Sequence, residues 1–553
     1  MTMNVTPPTK KYRVRWWPAL AIIIFASLTT LLIWLSDSTN RQAQIEQTGG
    51  ALFVTFLLLL IWLFAFSRLP RRFCLLALGA LGLLLGLGWS LFRVRGVSGD
   101  VLPILEWRFA QIKVAPLPQG ASALVDTALA STAMQSAREE SQPRTVTEIP
   151  RQPVIAKPVT SLRRDYPQFL GPNRDAKMPG IKLNRDWTKH PPQRLWRQNI
   201  GAGWSSFAVA GDFAITQEQR GAIEMVVAYD LTSGRVRWSH GDSTGFISPI
   251  TGDGPRATPT IAQNRVYTQG ATGWLNCLEL KSGKRLWAKN ILQDNNAQIK
   301  EWGMAGSPLV VDSLVVVSAG GQNNQSLAAY HQDDGRKIWS AGQDRAGYSS
   351  PLLTALLGTR QILIFNLGNV VAHEAVTGKI LWEFSWPGGG TQHVAQPVVL
   401  PEHRVLVSSG YGVGCKLIQI QPADSTGFRA TLVWETNQLK AKFNNVVQRD
   451  GYIYGLDDGI LVCLDLATGT RKWKAGRYGH GQLVNVDDLL LVQAESGDVV
   501  LVEATPAAHE ELARFAALAG KTWNNPALAG EYLLVRNDRE AACYQLALEP
   551  AAK

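Results

Sequence analysis

The stretch Cys277-Leu-Glu-Leu-Lys-Ser-Gly283-Lys-Arg-Leu-Trp287 recurs along the second half of the chain with its glycine and tryptophan in the same places. The copies share a small first residue, a glycine that follows Ser, Asp or Thr, and a closing tryptophan. They span Ala228–Trp238, Cys277–Trp287, Ala329–Trp339, Ala372–Trp382 and Cys463–Trp473. A repeat period of roughly 40–50 residues predicts a propeller or a solenoid.

Each copy predicts a strand, a tight turn and a second strand. Side chains before the glycine are expected to alternate, with Leu275 and Cys277 on one face and Asn276 on the other. The turn needs a positive φ at one position, which glycine supplies. The predicted turn glycines are Gly234, Gly283, Gly335, Gly378 and Gly469. A tryptophan at the same phase of every repeat can pack on the next repeat and bury roughly 150–250 Å².

Counting the closing aromatic residues predicts the number of blades. Predicted docking tryptophans are Trp196, Trp238, Trp287, Trp339, Trp382, Trp434 and Trp473, and Phe515 closes one further blade. Trp196 has no preceding strands of its own, whereas the C-terminal segment from Glu531 has strands but no closing one. We expect these halves to form one blade, so that an all-β propeller of eight blades over residues 166–549 is closed by its N- and C-terminal strands.

The repeat Ala-x-Asp-x-x-Thr-Gly-x-x-x-Trp resembles that of the pyrroloquinoline-quinone (PQQ) propeller family, over about two-thirds of the chain. That family includes quinoprotein alcohol and glucose dehydrogenases and the outer-membrane assembly propeller lipoprotein of Gram-negative bacteria. The resemblance implies the fold. It does not choose an activity, because the family contains both enzymes and scaffolds.

Three apolar runs precede the propeller, and each is about long enough to cross a bilayer. They are Trp17–Leu35, Ala51–Phe66 and Phe73–Phe92. The predicted organisation is a basic N-terminus (1–15), three transmembrane helices (16–95), an outer segment with a flexible tether (96–165) and the propeller (166–549). Residues 115–165 are rich in Ala, Pro, Ser and Gln, which is typical of a linker.

Basic residues predict the orientation of the spans. Lys10, Lys11, Arg13 and Arg15 flank the first run, and Arg68, Arg71 and Arg72 lie between the second and third. The segment between the first two runs carries only Arg41. The positive-inside rule therefore predicts an inner-membrane protein with a cytoplasmic N-terminus and a periplasmic propeller. Arg93 and Arg95 oppose this orientation but are outnumbered.

Charge and cysteine content limit the classes of function that the sequence supports. The formal charge of +11 lies largely beside the spans and in the tether. The propeller has no continuous basic stripe, so the sequence does not predict a nucleic-acid partner. The five cysteines form no Cys-x-x-Cys motif. Cys277, Cys463 and Cys543 occupy a slot that other blades fill with alanine, and residues in that slot of different blades are too far apart for a disulfide. We expect small buried core residues.

Candidate binding residues come from the segments that lead into the first strand of each blade. Such segments converge on one mouth of a propeller. The candidates are Arg256, Trp302, Tyr348, His393, Lys442, His480, Lys521 and Trp523. One interpretation is a polar channel lined with strand caps. The other is a ligand pocket in which cations and aromatic faces receive a small anionic or quinone-like molecule, or a docking surface for a protein.

The family resemblance raises a catalytic alternative. A quinoprotein dehydrogenase would place PQQ on a tryptophan, hold Ca²⁺ with carboxylate and amide oxygens, and use an aspartate as base. The leading segments contain amides but only one acid, Glu301, so Ca²⁺ is not supported and PQQ remains a possibility by resemblance alone. The leading hypothesis is a non-catalytic scaffold that binds a ligand or protein at the mouth; the alternative is a PQQ-dependent alcohol or sugar dehydrogenase that reduces membrane quinone.

Overall fold

A computed structural model describes residues 14–36, 41–110, 165–386, 392–423 and 427–550, together with the backbone of residues 124 and 125. Contacts divide the protein into two compact units. The first contains the N-terminal helices and the second the propeller. The predicted flexible tether lies almost entirely outside the described residues, although Leu124 and Val125 pair in parallel with His240 and Gly241.

The first unit contains three helices that are long and apolar enough to cross a membrane. They are α1 (Trp17–Leu35), α2 (Arg41–Ile61), which continues as a π-helical turn (Trp62–Phe66), and α3 (Arg71–Leu91). The prediction of three such segments is confirmed, but the second was placed too late. Its polar residues from Arg41 to Gly50 are the first turns of α2 rather than a loop, because they continue the helix beyond its apolar part.

The first two helices form an antiparallel pair. At one end Trp62 donates its indole N–H to the carbonyl of Arg15 (2.9 Å), and at the other Trp34 donates to Thr48 (3.2 Å). After α3 comes a hairpin of β1 (Phe92–Val97) and β2 (Pro103–Trp107). In that hairpin Arg93 forms an ion pair with Glu106 (3.0 Å).

The second unit is an eight-bladed propeller, as predicted. Two short strands precede the blades, β3 (Leu124–Val125) and β4 (Lys177–Met178), followed by β5 (Gln193–Asn199). Blade 1 contains β6 (Ala208–Ala210), β7 (Phe213–Arg220), β8 (Ile223–Asp230) and β9 (Val236–Asp242). Blade 2 contains β10 (Thr260–Ala262), β11 (Arg265–Gln269), β12 (Trp274–Glu279) and β13 (Arg285–Asn290). Blade 3 contains β14 (Leu309–Val311), β15 (Leu314–Gly321), β16 (Gln325–His331) and β17 (Lys337–Ala341). A short helix, α4 (Ile291–Asp294), follows β13.

The remaining blades repeat the four-stranded antiparallel order. Blade 4 contains β18 (Leu352–Leu356), β19 (Thr359–Phe365), β20 (Asn369–Glu374) and β21 (Ile380–Ser385). Blade 5 contains β22 (Val398–Leu400), β23 (Arg404–Ser409), β24 (Gly414–Ala423) and β25 (Gly427–Thr436). Blade 6 contains β26 (Val447–Arg449), β27 (Tyr452–Asp457), β28 (Ile460–Asp465) and β29 (Arg471–Arg477). Blade 7 is β30 (Gln482–Val486), β31 (Leu489–Gln493), β32 (Asp498–Glu503) and β33 (Glu511–Ala516), and blade 8 contains β34 (Ala527–Ala529), β35 (Tyr532–Arg536) and β36 (Glu540–Gln545).

Blade 8 joins the two ends of the propeller sequence. Its fourth strand is β5, which pairs antiparallel with β36 and places Trp196 opposite Cys543. The prediction that N- and C-terminal halves form one blade is confirmed. The ring is therefore closed by pairing between strands that are distant in sequence, rather than by a hairpin of neighbouring strands.

The middle strands are buried on both faces. In β12 the residues from Leu275 to Leu278 are all buried, and Asn276 donates its amide to Asp242 of the preceding blade (2.7 Å). Leu275 and Cys277 face blade 3 and Asn276 faces blade 1, so the expected alternation is confirmed, and both faces of the strand are buried. Each blade is packed between two others, so both of its faces belong to a core, and Asn276 is accommodated by a hydrogen bond rather than by water.

The joints between blades use the repeated glycine and tryptophan. Gly335 has a φ of 70°, and a Cβ built on it would lie 2.7 Å from Cε3 of Trp287, which belongs to the preceding blade. The same glycine–indole contact recurs at Gly234, Gly283, Gly378 and Gly469, against Trp196, Trp238, Trp339 and Trp434. In addition, Trp287 donates its indole N–H to the carbonyl of Gln332 in the next blade (2.9 Å).

The small residue of the repeat lies directly opposite the tryptophan. Cys277 pairs with Trp287, Cys463 with Trp473 and Ala228 with Trp238, and in each blade the register shifts immediately afterwards. A small side chain leaves room for the indole at this position. The five cysteines are buried and free.

A segment before β5 crosses the end of the propeller channel. We call residues 165–178 the strap. Tyr166 pairs with Val209 of the first blade, and at its other end the strap forms β4, which pairs in parallel with Asn485 and Val486 of blade 7. These contacts lie within or at the far end of the inner strands, whereas the predicted binding residues precede those strands. The strap and the mouth therefore occupy opposite ends of the channel.

Candidate binding site at the propeller mouth

Two sets of connections surround the mouth. One set comprises the segments that lead into the inner strands, and the other comprises the turns between the second and third strands of each blade. Side-chain hydrogen bonds join successive leading segments: the N–H of Thr258 donates to Ser307 (2.9 Å) and the N–H of Ser307 to Ser350 (2.9 Å). The full ring comprises Ser206, Thr258, Ser307, Ser350, Gln396, Asn445 and Asn525.

Blade 7 joins this ring through one amide. Gln482 donates to the carbonyls of Phe443 (2.9 Å) and Trp523 (3.0 Å), which lie on the blades to either side. Small polar side chains thus satisfy the backbone where eight inner strands converge. This is what the channel-lining interpretation expects of these segments, and it forms the floor under the larger side chains.

Four predicted residues are connected through blades 2 to 5. Arg256 donates its Nε–H to the carbonyl of Trp302 (2.7 Å), and the hydroxyl of Tyr348 accepts the N–H of Trp302 (3.3 Å). The rings of Trp302 and Tyr348 stack with centroids 5.7 Å apart. The N–H of Tyr348 in turn donates to the carbonyl of His393 (2.7 Å), and the His393 ring stacks on Phe365 (4.3 Å).

The other four predicted residues are connected through blades 6 to 8. Phe443 lies between His480 and Trp523, with centroid distances of 5.2 and 4.7 Å. The ammonium group of Lys521 lies 4.1 Å from the centroid of Trp523, and that of Lys442 lies 6.0 Å from Phe443. Each set of four is therefore continuous.

Two aromatic residues that were not among the predicted set extend these groups. Trp204 of blade 1 lies 5.0 Å from Trp523 and also faces Lys521 (4.8 Å). Tyr411, from a turn between the second and third strands of blade 5, faces Lys442 (5.1 Å). Trp204 stands in a leading segment, as the predicted residues do, whereas Tyr411 belongs to a connection between two strands that the repeat does not mark.

Carboxylates also reach the mouth from those turns. Glu495 accepts the indole N–H of Trp523 at Oε1 (2.9 Å) and the backbone N–H of His480 at Oε2 (2.9 Å). Asp458 lies 3.5 Å from Lys440, and burial raises the pKa of this carboxyl. Both acids follow a second strand, so the position of that turn in each repeat was the signal that would have found them.

The cations are mostly covered and the aromatic rings are more accessible. Lys442 is 5% and Lys521 8% exposed, whereas Trp302, Phe443 and Trp523 are half-buried. Cation–π contact offsets part of the cost of burying an ammonium group. The surface that a partner meets is consequently aromatic, with positive charge close behind it.

Burial also changes the protonation of this site. It lowers the pKa of Arg256 to about 10, which leaves the guanidinium charged at neutral pH. Burial, with Lys300 nearby, lowers the pKa of His393 to about 4, so this imidazole is neutral at neutral pH. His393 contributes a stacking face and a hydrogen bond to Ser409 (3.1 Å) rather than a positive charge.

The mouth offers few carboxylates for a calcium–PQQ dehydrogenase site. Both oxygens of Glu495 accept protein hydrogen bonds, from the indole of Trp523 and the backbone of His480. Within the described part of the protein, no group of three or more His, Cys, Asp or Glu side chains is placed to hold a metal ion. A base and an oxygen-rich cation site are what such an enzyme requires.

Comparison with known proteins agrees with the repeat. A model of a PQQ-repeat family, described as outer membrane protein assembly factor BamB, matches residues 222–475, which begin just before β8 and end in the outer strand of blade 6. Over the matched residues this chain is similar to that family. It resembles both BamB and the quinoprotein dehydrogenases, as the sequence predicted.

Individual relatives are distant. BamB of Shewanella oneidensis is 27% identical over 339 residues, covering 50% of this chain and 79% of that protein. BamB of Xanthomonas campestris pv. campestris is 33% identical over 89 residues, covering 16% of this chain and 21% of that protein. The crystal structure of quinohemoprotein alcohol dehydrogenase from Comamonas testosteroni superposes with a TM-score of 0.50 at 13% identity, covering 70% of this chain and 81% of that one. At this identity the superposition shows the fold alone.

Proposed function

We propose that this protein is a membrane-anchored, non-catalytic scaffold whose propeller mouth binds a segment of a partner protein. The observation that carries the proposal is the set of half-buried aromatic rings at the mouth, backed by Arg256, Lys442 and Lys521. Tryptophan, tyrosine and arginine dominate the binding energy of protein interfaces. The relatives named BamB are assembly factors by name, which supports a protein partner.

The proposed orientation places the propeller outside the cytoplasm. Arg15 and the end of the π-helical turn lie at the same end of the helix pair, since the N–H of Arg15 donates to the carbonyl of Ser67 (3.2 Å). Arg68, Arg71 and Arg72 follow directly. The positive-inside rule assigns this basic end to the cytoplasm. Arg93 and Arg95 oppose that assignment but are outnumbered by the basic residues at the other end.

A small anionic ligand is the second occupant that the mouth can receive. Aromatic faces with cations behind them also suit a planar anion, which is what the dehydrogenase alternative needs. Within the described residues no group of three or more His, Cys, Asp or Glu side chains is placed to hold the metal ion that a dehydrogenase of this kind needs, which counts against turnover. Protein binding is favoured because the accessible part of the site is aromatic and the lysines are covered.

Site-specific photo-crosslinking in intact bacterial cells tests the proposal. A photoreactive residue at exposed Glu301, beside Trp302, is expected to yield a discrete protein adduct, and the double variant Trp302→Ala/Trp523→Ala is expected to lose it. Lys189 provides the control, because it is highly exposed and lies beyond the strap, away from the mouth.

The same preparation tests the dehydrogenase alternative. Purified full-length protein is mixed with PQQ and Ca²⁺, and dye reduction is followed with alcohols and sugars. No turnover together with a mouth-specific adduct supports the scaffold. Turnover that follows bound PQQ, or equal adducts from Glu301 and Lys189, would refute it.

A further inference from the structure

The hairpin that follows α3 has an apolar face. Phe92 pairs with Trp107 and Val94 pairs with Leu105, and directly opposed residues of an antiparallel pair point to the same side of the sheet. The rings of Phe92 and Trp107 are in edge-to-face contact, with centroids 5.3 Å apart. One side of the hairpin is therefore formed by two apolar pairs.

The other side of the hairpin is polar. Arg93 and Glu106 are also directly opposed, and they form an ion pair of 3.0 Å. Successive side chains of a strand point to opposite faces, so this ion pair lies on the face away from the apolar pairs. The hairpin is thus an amphipathic two-stranded sheet.

The apolar face is open. Phe92, Val94, Leu105 and Trp107 are 41–63% exposed, so no described residue buries them. A two-stranded hairpin is marginally stable at best in water, and a contiguous exposed apolar surface marks a site of contact with another surface. The place at which the hairpin is attached indicates which surface that is.

Both ends of the hairpin are fixed to the end of the third apolar helix. α3 ends at Leu91, and β1 begins at the next residue, Phe92. After β2 the chain returns to the same place, because the N–H of Arg108 donates to the carbonyl of Leu91 (2.8 Å) and its guanidinium donates to the carbonyl of Trp89 (2.9 Å). The open end of the hairpin therefore lies at the level where the helix ends.

The turn of the hairpin is held as well. Asp100, between β1 and β2, forms an ion pair of 3.1 Å with Arg41 at the start of α2. The start of α2 and the end of α3 thus lie at the same end of the helical unit. In the proposed orientation, this end is the one away from the cytoplasm.

We propose that the apolar face of the hairpin lies in the outer interface of the lipid bilayer, among headgroups and upper acyl chains, an inference that rests on the proposed membrane anchoring. Phe92 and Trp107 lie where α3 ends, and aromatic side chains are enriched at that depth in membrane proteins. Val94 and Leu105 lie two residues further along the strands, about 7 Å away. This distance fits within the headgroup region, which is roughly 5–8 Å thick on each side of the hydrocarbon core.

Continuity along the chain favours lipid over a protein partner. Exposed apolar side chains run from the last turns of α3, at Leu87 and Trp89, into Phe92, and no charged residue intervenes. The surface of α3 that contacts acyl chains therefore continues directly into the hairpin. A bilayer that surrounds the end of α3 already lies beside the apolar face, so no further partner is needed to cover it.

Fluorescence quenching in phosphatidylcholine vesicles that contain the full-length protein tests the proposal. An environment-sensitive fluorophore is attached to Val94→Cys or to Arg93→Cys, and the vesicles include a phosphatidylcholine with a nitroxide on its acyl chain close to the headgroup. The two positions are similarly exposed, 54% for Val94 and 52% for the side chain of Arg93, but point to opposite faces. Loss of the exposed Arg93 ion pair contributes little to stability. The five native cysteines are buried, and the unsubstituted protein measures background labelling.

We expect several-fold stronger quenching at Val94 than at Arg93. Leu83→Cys, in the middle of α3, reports on anchoring, because a nitroxide placed deep in the acyl chains should quench it. Quenching at Leu83 together with equal quenching at Val94 and Arg93, or with none at Val94, would overturn the interfacial hairpin and leave the anchoring intact. That result is expected if a protein or a second copy of this chain covers the face. No quenching at Leu83 would refute the anchoring and the interfacial hairpin together.

A charge on the apolar face provides a second test. Leu105→Asp, directly opposite Val94, should lower the quenching of the Val94 probe several-fold, because a carboxylate is costly to place among acyl chains. Glu106→Gln is the matched control, since it changes the neighbouring residue on the polar face, and it should leave the quenching unchanged. Unaltered quenching in Leu105→Asp would contradict contact between this face and lipid.

Discussion

Tryptophans lie in two environments in the propeller, at the joints between blades and at the mouth. At the joints, Trp196, Trp238, Trp287, Trp339 and Trp382 are 3–9% exposed, and Trp434 and Trp473 are half-buried. At the mouth, Trp204, Trp302 and Trp523 are half-buried. The same side chain is thus used for blade packing in one place and for an accessible aromatic surface in the other.

The contacts of the two groups explain the difference. Trp238 of the joints lies over Gly283 of the next blade and donates to the carbonyl of Leu280, whereas Trp339 lies over Gly378 but its indole N–H has no hydrogen-bond partner. A mouth tryptophan contacts other side chains: Trp523 has Lys521 over its ring and donates to Glu495. Removing a joint indole should therefore cost stability, whereas removing a mouth indole should cost binding.

The largest expected effect is at a joint. Trp287→Ala should lower the free energy of unfolding by roughly 3–5 kcal/mol, because a buried aromatic ring is lost and a cavity is left between blades 2 and 3. Urea unfolding of the full-length protein in detergent, followed by near-ultraviolet circular dichroism, measures this. A loss below about 1 kcal/mol would show that the indole does not hold the joint.

The mouth should respond to pH through His393. Its pKa is about 4 in the folded protein and 6.5 when unfolded, so the unfolded state binds more protons between these values. The contribution of His393 to the free energy of unfolding is therefore fully present above pH 6.5. It falls by on the order of 3 kcal/mol as the pH falls toward 4. His393→Gln should flatten this part of the stability profile. An unchanged profile in the variant would contradict the assignment of a neutral, buried imidazole.

A smaller effect is expected from two glycine variants, which distinguish the stability that depends on the glycine–indole contact from the stability that depends on the positive φ of the turn. Gly335→Ala must place a Cβ 2.7 Å from Trp287, whereas Gly358, with a similar φ of 75°, has no atom within 4 Å of that position. Both variants carry the cost of a positive φ, on the order of 1 kcal/mol, and only Gly335→Ala adds steric strain of roughly 1–3 kcal/mol. Equal losses in the two variants would mean that the joint is loose enough to accept a methyl group.

The joints were predictable and parts of the mouth were not. The repeat contains the glycine, the small residue opposite the indole and the tryptophan itself within eleven residues, so blade number and closure follow from local pattern. Blade 5 shows the limit: its Gly427 does not lie against Trp382 of blade 4, and Trp382 donates instead to Gln361 of its own blade (2.8 Å). No spacing rule indicates that exchange, because it depends on which acceptor is within reach in three dimensions.

The mouth was only half predictable for a similar reason. The leading segments before the inner strands were identified, and the structure connects the eight chosen residues into two continuous groups. Tyr411, Asp458 and Glu495 reach the same mouth from turns between second and third strands, which the repeat does not mark. The sequence also could not show that Lys442 and Lys521 would be covered by aromatic rings, since that follows from side-chain packing.

One measurement tests the division between joint and mouth most directly: the yield of the Glu301 photo-crosslink compared with unfolding stability in Trp302→Ala/Trp523→Ala. The account predicts loss of the protein adduct with a stability loss clearly smaller than that of Trp287→Ala, since these rings are only half-buried. An undiminished adduct, or a stability loss as large as that of Trp287→Ala, would contradict the claim that the mouth aromatics serve binding.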